Sequence, residues 1–294
     1  MKKPENKIPM NKNEIESIVM KYMPEKDSFP PLSEAMCYSV QNGGKRLRPL
    51  MMLETCRLFS EDTSQAEPFA AAVEMIHSGS LVHDDLPCMD NDELRRGVLS
   101  TWKAFGEPTA LMAGDALMAY AFETAARSLL MPHPERAARA MSVLADSAGT
   151  GGVCLGQTQD MQFTGKEPDG ETLEQIYKKK TCALLQASMA IGALIGGADD
   201  EAVKIVDEAA LHIGLAFQIR DDILDVTADE KSLGKPVGSD SKNNKTTFVT
   251  IYGLSGAQKA VFEHSALARA LMLRLPGDKA FFLDLIEKLE NRNN

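Results

Sequence analysis

Apolar residues recur at intervals of three or four positions in several long segments of this chain, which is the spacing typical of helices. The clearest stripe precedes residue 84 and consists of Phe69, Ala72, Val73, Ile76, Ser80 and Val82. Another marks the packed side of a helix predicted over 207–226 and consists of Ile205, Ala209, Ile213 and Ala216. No run shows the sustained alternation with β-branched residues that indicates a strand. The pattern therefore predicts an all-α protein.

Glycine, proline and capping residues indicate where the predicted helices begin and end. One helix ends at the glycines of 41–44, where a left-handed stop is available. Pro108 stands at the start of a long alanine-rich helix, where a first-turn proline is tolerated. Thr172, with Gln175 three residues later, predicts a capping box that opens a helix over 172–197.

Composition agrees with a helical protein and restricts its partners. Aromatic residues make up only 6% of the 294 residues, while alanine and methionine are plentiful, and this balance favours helix over sheet. The net charge is −10 and the basic residues are scattered, so we expect no nucleic-acid surface. The five cysteines are widely spread without a CxxC pair, which indicates neither a disulfide framework nor a zinc site and fits a reducing cytoplasm.

Two segments have some features of targeting or membrane sequences. Residues 1–13 are polar and lysine-rich with no apolar stretch behind them, so we expect a frayed terminus and not a signal peptide. The most apolar stretch, 182–198, is shorter than the roughly 20 residues that a membrane span needs, and it contains Gln186 and Ser188. We interpret it as a buried helix and expect no membrane span.

Four carboxylates, Asp84, Asp85, Asp90 and Asp92, fall within nine residues. Such a cluster is tolerated if it is fully solvated or if hard cations neutralise it, and Mg2+ and Ca2+ prefer all-oxygen ligands. Asp84 and Asp90 would lie on different faces of an unbroken helix, so a break at Pro87 is needed to fold Asp90 back. Taken alone, an acidic run of this kind is more often a solvated turn than a metal site.

A second acidic cluster changes that balance. Asp221 and Asp225 are four residues apart and stack on one face of the helix over 207–226, joined by Asp222 and by Gln218 one turn earlier. Clusters about 130 residues apart in sequence can face each other across the cavity of a helical bundle. Because Mg2+ usually takes one or two carboxylates together with substrate phosphates, opposed aspartates indicate a polyphosphate ligand bridged by metal.

Basic side chains flank both clusters. Lys180 falls in the apolar stripe of its predicted helix, where it either has an anion as its partner or snorkels to the surface. The polar stretch 230–247 is long enough to form a lid. The cations near the clusters are Lys45, Arg48, Arg95, Arg96, Lys180, Lys235 and Lys245. They exceed what one diphosphate requires, so we infer a site for two diphosphates.

Five motifs, in this order, resemble those of the trans-isoprenyl diphosphate synthases, of the bacterial farnesyl diphosphate synthase type. They are GGKRLRP at 43–49, EMIHSGSLVHDDLPCMDNDELRRG at 74–97, KKT at 179–181, FQIRDDILD at 217–225 and GKPVGSDSKNNKTT at 234–247. The resemblance spans most of the chain. It implies a single polyprenyl synthase domain over 1–294 with the all-α isoprenoid-synthase fold, a helical bundle around a central cavity. It also implies a homodimer.

The resemblance also implies roles for individual residues. The carboxylates that hold several Mg2+ ions against the allylic diphosphate would be Asp84, Asp85, Asp90, Asp221, Asp222 and Asp225. The cations that clamp this diphosphate would be Arg95, Lys180, Lys235 and Lys245. The isopentenyl diphosphate site would consist of Lys45, Arg48, His77 and Arg96. Thr181 and Gln218 would lie beside the allylic carbon and, with Asp84, Asp85, Lys180 and Asp221, act in catalysis.

The implied reaction requires these groups. Loss of diphosphate leaves an allylic cation, and metal ions together with basic side chains stabilise the departing negative charge. The double bond of isopentenyl diphosphate then attacks the cation, and a proton is lost. An apolar pocket that excludes water protects the cation from being quenched.

Product length depends on a departure from the family pattern. Members that stop at fifteen carbons often carry a bulky aromatic residue five positions before the first aspartate, whereas this chain has Gly79 there. We expect the glycine to deepen the pocket, unless Met118 or Tyr120 of the facing helix supplies a floor. Farnesyl diphosphate, made from dimethylallyl and geranyl diphosphate, is the expected product, and geranylgeranyl diphosphate is the alternative.

Other functions fit the sequence less well. Terpene cyclases resemble one another in an NSE-type second metal motif, whereas this chain has a second DDxxD and retains Lys45 and Arg48. A non-catalytic partner subunit is expected to have lost an aspartate cluster, and both are intact. A calcium-binding structural protein would not explain the ordered cations, and neither cluster has EF-hand spacing. The glycine-rich stretch 148–160 lacks the ending of a Walker motif, so it indicates close helix packing.

Overall fold

The computed structural model describes residues 9–227 and 245–291, and helices dominate these two ranges. Their bounds are α1 Lys12–Lys21, α2 Leu32–Gln41, α3 Leu47–Phe59, α4 Glu67–Asp84, α5 Thr101–Phe105, α6 Glu107–Ala126, α7 Pro134–Ala148, α8 Val153–Phe163, α9 Gly170–Tyr177, α10 Ala183–Gly196, α11 Asp200–Thr227, α12 Phe248–Leu273 and α13 Ala280–Asn291. Short 3-10 turns lie at Ser64–Ala66 and Arg127–Leu130. The all-α prediction is confirmed, and Pro68 and Pro108 occupy the first turns of α4 and α6.

A small β-hairpin follows the first acidic cluster, and the sequence pattern did not predict it. Its strands are β1 Leu94–Arg95 and β2 Val98–Leu99, paired antiparallel with Leu94 opposite Leu99. Two residues per strand are too few to produce a visible alternation. The connecting residues Arg96 and Gly97 both have positive φ, 54° and 82°, as a two-residue hairpin turn requires.

The end of the segment that was predicted to be a frayed terminus is ordered in the structure. Residues 1–8 lie outside the described ranges, but Asn11 forms a capping box with Glu14, so residues 11–13 belong to the start of α1. The backbone N–H of Met10 also donates to Glu54 at 2.9 Å. The end of the predicted frayed segment is therefore held in place by a cap and by a contact with α3.

The predicted helix over 172–197 begins earlier and is interrupted. Asp169, and not Thr172, is the capping residue, because its carboxylate accepts the backbone N–H of Thr172 at 2.8 Å. The predicted capping box at Thr172 is therefore wrong. Between α9 and α10 the chain forms a π-helical turn at Lys178–Cys182. Turns of this kind occur mostly as single insertions and frequently at functional sites.

Helix α10 lies at the centre of the protein. Its residues in the cluster shared with α1 to α7 are Leu184, Ala187, Ile191 and Ile195. Its residues in the cluster shared with α11 to α13 include Leu185, Met189 and Ala193. Gly192 brings α10 close to α3, because an added Cβ would lie 2.2 Å from the backbone oxygen of Met52. The buried helix predicted over 182–198 is confirmed, and no helix in the described ranges is long and apolar enough to cross a membrane.

Candidate active site

The first acidic cluster forms where α4 ends. The helix stops at Asp84, three residues before Pro87, in agreement with the predicted break. The backbone N–H of Asp90 then donates to the backbone oxygen of Asp84 at 2.9 Å. This turn folds Asp90 back to the end of the helix, so the prediction that the proline brings the two aspartates together is confirmed.

Asp84 lies in a partly desolvated position among charges of both signs. Burial raises the pKa of Asp84 to about 6, while the ammonium group of Lys180 lowers it and the carboxylate of Asp90 raises it further. The arginine and lysine charges nearby are too few to restore its ordinary pKa. A cation bound here would therefore favour the ionised carboxylate.

Asp85 is held by Arg95 from the hairpin. The side chain of Asp85 is buried, and its Oδ1 accepts Nε of Arg95 at 2.9 Å and also the Nη2 group. Arg95 reaches Asp92 as well, at 3.3 Å. Burial raises the pKa of Asp85 despite this partner. The hairpin thus places an arginine on the inner aspartate of the pair, which leaves Asp84 as the more accessible one.

The second acidic cluster divides into one accessible and two buried side chains. Asp221 is partly exposed, whereas Asp222 and Asp225 are 3% and 2% exposed. Asp222 accepts hydrogen bonds from Tyr177, from Gln218 and from the backbone N–H of Phe248. The spacing on α11 predicted a single carboxylate face, but tertiary packing gives its members different surroundings.

Lys180 has an anion as its partner, so the first of its two predicted alternatives is confirmed. Its ammonium nitrogen lies 2.6 Å from Oδ2 of Asp160 on α8. Lys178, by contrast, pairs with Glu174 on the surface at 2.7 Å. The sequence interpretation did not include Asp160 in the site. The sequence clue to Asp160 was its position four residues after Gly156, on the same face of the helix.

Gly156 explains how α8 reaches the lysine. A Cβ at this position would lie 2.2 Å from the backbone nitrogen of Lys180, so α8 rests directly on the π-turn. Close helix packing at the glycine-rich stretch is therefore confirmed. Asp160, one turn further along α8, consequently meets the lysine side chain.

Lys245 completes this group of cations. Its ammonium nitrogen lies 3.5 Å from Asp160 and 3.7 Å from Asp90, so it joins α8 to the first acidic cluster. On the other side of Lys180, the hydroxyl of Thr181 donates to Gln218 of α11 at 2.8 Å. The π-turn therefore lies between the two acidic clusters. Lys235 and most of the predicted lid lie outside the described residues.

The donor set suits magnesium. Asp84, Asp90 and Asp221 are the more accessible carboxylates and offer oxygen ligands alone, which Mg2+ prefers. Within 9–227 and 245–291, no group of three or more His, Cys, Asp or Glu side chains is arranged to hold an ion by itself. In proteins Mg2+ usually takes one or two carboxylates and completes its shell with water and phosphate oxygens. The desolvated carboxyl of Asp84 is the observation that favours such an ion.

The corner between α2 and α3 presents several cations to one region. Gly43 and Gly44 have φ values of 86° and 118°, which only glycine adopts readily. A Cβ on Gly44 would lie 2.8 Å from the guanidinium of Arg96, so the glycine makes room for that arginine. Arg96 in turn donates to the backbone oxygen of Gly43. Lys45 lies 5.5 Å above the ring of Phe217 on α11.

Beneath this corner lies a buried pair that anchors it. Arg46 adopts a left-handed conformation and is 4% exposed, and its Nη1 lies 2.7 Å from Glu74 on α4. Arg46 therefore faces inward, while its neighbours in the motif carry the charges of the predicted diphosphate site. The ion pair fixes α3 to α4 three residues before His77.

His77 is surrounded by guanidinium groups. Burial lowers the pKa of His77 well below its ordinary value, and the charges of Arg48 and Arg96 lower it further. Burial also lowers the pKa of Arg48. The Nε of Arg48 is buried and has no hydrogen-bond partner in the described part of the chain. A concentration of positive charge around a neutral imidazole attracts an anion, as the predicted isopentenyl diphosphate site requires.

Gly79 packs against α6 and does not open onto free space. A Cβ at Gly79 would lie 3.1 Å from the backbone oxygen of Gly114, 3.3 Å from Leu117 Cβ and 3.7 Å from Met118 Cε. The glycine therefore permits a close approach of α4 and α6. Of the two predicted floor residues, Met118 lies beside this contact, whereas the hydroxyl of Tyr120 accepts a hydrogen bond from Arg127 at 3.3 Å.

Comparison with known proteins agrees with this geometry. Residues 29–271 match the family model described as polyprenyl synthetase. The chain is 42% identical to the farnesyl diphosphate synthase of Geobacillus stearothermophilus, over 96% of each protein. It is 44% identical to the large subunit 1 of a heterodimeric chloroplastic geranylgeranyl pyrophosphate synthase of Arabidopsis thaliana, over 90% of this chain and 72% of the relative.

A solved structure extends the similarity to the fold. The geranyltransferase of Legionella pneumophila superposes with a TM-score of 0.83 at 32% identity, over 96% of this chain and 95% of the other. The fold and the site thus define a member of the all-α isoprenoid synthases. The chain belongs to the polyprenyl synthetase family, and it is an enzyme of the trans-prenyl diphosphate synthase class.

Proposed function

We propose that this protein is a Mg2+-dependent farnesyl diphosphate synthase. It condenses isopentenyl diphosphate with dimethylallyl and then with geranyl diphosphate, releasing diphosphate at each step. The observation that carries the proposal is the position of Lys180 and Lys245 between two aspartate clusters, beside a separate cluster of arginines around His77. Two cationic regions, of which one adjoins carboxylates, match two diphosphates with different fates.

The side of the site that carries the carboxylates receives the allylic diphosphate. Asp84, Asp90 and Asp221 would hold the ions, and Mg2+ bound there supplies positive charge to the departing diphosphate. Lys180 and Lys245 bind the same oxygens, with Arg95 adjoining through Asp85 and Lys235 as a further clamp. The surrounding protein buries Asp85, Asp222 and Asp225, which would form the wall behind the ions.

The arginine side receives isopentenyl diphosphate, the diphosphate that stays intact. Arg48 and Arg96 offer guanidinium groups, which bind phosphate in a bidentate manner, and Lys45 adds a point charge. Neutral His77 donates a hydrogen bond without adding to the charge. Thr181 and Gln218 form a hydrogen-bonded pair next to Lys180, where their oxygens lie beside the proposed position of the allylic carbon.

Product length is proposed as fifteen carbons because of the contact between α4 and α6. Gly79 touches the backbone of Gly114, and Met118 lies beside them, so the space that a missing aromatic side chain would leave is occupied. Geranylgeranyl diphosphate is the second candidate, and the similarity to chloroplastic geranylgeranyl pyrophosphate synthases favours it. The two candidates share every catalytic group and differ only in pocket depth.

The protein is further proposed to be a single-domain cytoplasmic homodimer. Helix α6 carries two large apolar side chains in solvent, Leu111 and Met112, which are 46% and 53% exposed. Apolar side chains of this size on one helix support contact with a second copy of the chain. The two intact aspartate clusters argue against a non-catalytic partner subunit.

The test is to incubate the protein with Mg2+, isopentenyl diphosphate and each of dimethylallyl, geranyl and farnesyl diphosphate, and to identify the dephosphorylated products by chromatography. Accumulation of farnesol, with farnesyl diphosphate left unused, supports the proposal. Geranylgeraniol as the main product supports the second candidate. Absence of product from all three primers refutes both.

A further inference from the structure

Asp222 is a buried carboxylate of the second acidic cluster and accepts hydrogen bonds from three protein groups. Its Oδ2 accepts the hydroxyl of Tyr177 at 2.5 Å and the backbone N–H of Phe248 at 2.8 Å. Its Oδ1 accepts Nε2 of Gln218 at 3.1 Å. Tyr177 ends α9, Gln218 lies on α11 and Phe248 begins α12. One buried side chain therefore connects three helices.

We propose that Tyr177 and Asp222 form a positioning pair for the catalytic groups. Neither side chain needs to touch substrate, since Tyr177 is 8% and Asp222 is 3% exposed. The pair acts through two neighbours: the start of α12, which places Lys245, and the Gln218 and Thr181 pair, which adjoins Lys180. This inference rests on the proposed function, because these neighbours are the groups assigned to the allylic diphosphate.

The first connection runs along the backbone to Lys245. Phe248 is the first residue of α12, and its N–H is one of the donors that the helix itself leaves unpaired. Thr247 forms a capping box with Thr250, which fixes the direction in which the chain enters the helix. Lys245 lies three residues before this anchored amide and reaches Asp160 and Asp90. A shift of the amide therefore shifts the lysine.

The second connection runs through side chains to the π-turn. Asp222 orients the amide of Gln218, whose oxygen accepts the hydroxyl of Thr181 at 2.8 Å. Tyr177 directly precedes the π-turn at Lys178–Cys182, which carries Lys180 and Thr181. The pair therefore fixes the chain just before the turn and, through Gln218, at Thr181 within it. Since a charge-assisted hydrogen bond is stronger than a neutral one, the carboxylate suits this role.

Asp221 and Asp222 are adjacent in the sequence, but their surroundings differ, and we assign them different roles. Asp221 is partly exposed, whereas Asp222 is buried and both of its oxygens accept hydrogen bonds from protein groups. An oxygen that already accepts two hydrogen bonds has little capacity left for a cation. We therefore assign Asp221 to the metal-bound ligand. Asp222 instead orients the protein groups that contact this ligand.

The experiment compares Tyr177→Phe with Tyr22→Phe, which removes a tyrosine hydroxyl just after α1 and outside these three helices. Loss of a hydrogen bond to a charged group should raise the KM for the allylic diphosphate roughly tenfold and lower kcat, while the KM for isopentenyl diphosphate stays within about twofold. A variant that is merely less stable would lower the active fraction and leave both KM values unchanged. Tyr22→Phe should match the wild type.

A second measurement does not depend on activity. Hydrogen–deuterium exchange of the unliganded protein should be faster for the peptide over 246–252 in Tyr177→Phe and in Asp222→Asn, because the Phe248 amide loses part of its anchor. The same peptide should be unchanged in Tyr22→Phe. Far-UV circular dichroism confirms that each variant is folded.

The outcomes distinguish the inference from the proposed function. If the wild type forms no product with any primer, the proposed function fails, while the exchange measurement still tests the pair. If the wild type is active and Tyr177→Phe keeps both its allylic KM and its exchange rate at 246–252, the positioning pair is refuted. Faster exchange with unchanged kinetics refutes the positioning role as well.

Discussion

The ammonium nitrogen of Lys180 lies 2.6 Å from a carboxylate oxygen of Asp160, and this ion pair spans the contact between α8 and the π-turn. Burial raises the pKa of Asp160, but the charges of Lys180 and Lys245 outweigh it and hold the pKa below its ordinary value. Asp160 is therefore an anion that both lysines share. It keeps two cations close together, at the position where the proposed allylic diphosphate would compete for them.

This relationship predicts the effect of replacing the shared anion. Asp160→Asn keeps the size of the side chain but removes its charge, so the two ammonium groups repel each other and lose their common position. We expect kcat to fall by roughly tenfold or more, by analogy with the loss of other charge-assisted hydrogen bonds. Steady-state kinetics with geranyl diphosphate as the varied substrate measures it.

The matched control for Asp160 is Asp284→Asn. Asp284 pairs with Lys288 on α13 at 2.6 Å, but the two side chains are 59% and 71% exposed, and exposed pairs contribute little. Wild-type kinetics in the control, together with a large loss in Asp160→Asn, identify the pair of Asp160 and Lys180 as functional. Equal losses in both variants would contradict the role given to Asp160.

The glycine corner predicts a substitution that acts on isopentenyl diphosphate alone. Gly44→Ala places a Cβ 2.8 Å from the guanidinium of Arg96 and thereby displaces it. Because displacement of a binding group by about 1 Å can cost up to about a hundredfold, the KM for isopentenyl diphosphate should rise at least tenfold. The KM for the allylic diphosphate should change little.

Gly43→Ala is the control for backbone strain at this corner. Gly43 also has positive φ, 86°, but an added Cβ would only approach Arg96 Cδ at 4.0 Å. Both variants therefore carry the strain of an L-residue in this region, and only one displaces the arginine. Similar KM values for isopentenyl diphosphate in the two variants would show that strain, and not Arg96, determines the effect.

Much of the architecture was predictable because its signals are local. The apolar stripes before residue 84 and around Ile205 depend only on helical periodicity, and helices lie at both, although α11 begins at Asp200 and not at 207. The return of Asp90 to Asp84 followed from Pro87, whose ring prevents a continuous helix. Features that a few neighbouring residues determine are accessible to sequence reasoning.

Other features depend on contacts between distant segments and were missed. Asp160 gains its role only because Gly156 lets α8 rest on the π-turn. The difference between Asp221 and Asp222 arises from Tyr177 and Phe248, which are far from them in sequence. Asp169 rather than Thr172 caps α9, although both are suitable capping residues, because the chain enters the helix earlier. These outcomes depend on tertiary geometry that periodicity does not contain.

A histidine pair between α11 and α12 predicts a pH dependence of stability. The Nδ1 atoms of His212 and His264 lie 2.9 Å apart, so one ring must donate and the other accept. Burial lowers the pKa of both rings in the folded protein, and for His264 the neighbouring His212 lowers it further. Folding therefore favours the neutral pair, in surroundings that also include the charges of Glu174, Lys178, Glu208 and Glu263.

Because the pKa of both histidines is lowered by folding, acidification destabilises the folded protein. Above the ordinary histidine pKa of about 6.5 the two rings are neutral in both the folded and the unfolded protein, and the pair contributes its full stability. This contribution is lost progressively as the pH falls below that value.

His264→Gln keeps a hydrogen-bonding group but removes one titratable ring. Chemical denaturation between pH 5 and 8 should therefore give a smaller loss of stability on acidification for the variant, roughly one proton fewer taken up. His77 also has a lowered pKa, but it is present in both proteins and cancels from the comparison. An identical pH dependence in the two proteins would mean that the pair is not neutral in the folded state.

We expect the side chain of Met118 on α6 to limit the depth of the substrate pocket. Its Cε lies 3.7 Å from the position that a Cβ on Gly79 would take. The methionine therefore occupies the region that an aromatic side chain at position 79 would fill. Met118→Ala removes this side chain and should shift the products from farnesyl toward geranylgeranyl diphosphate, as measured by chromatography of the dephosphorylated alcohols. Leu130→Ala, at a position 90% exposed just after the same helix, provides the control and should leave the distribution unchanged. Because the chemistry at Lys180 is untouched, total isopentenyl diphosphate incorporation should remain within about threefold of the wild type, consistent with a change in binding alone. If Met118→Ala still stops at fifteen carbons, the backbone of Gly114 and the side chain of Leu117 form the floor, and the close packing at Gly79 itself limits the chain.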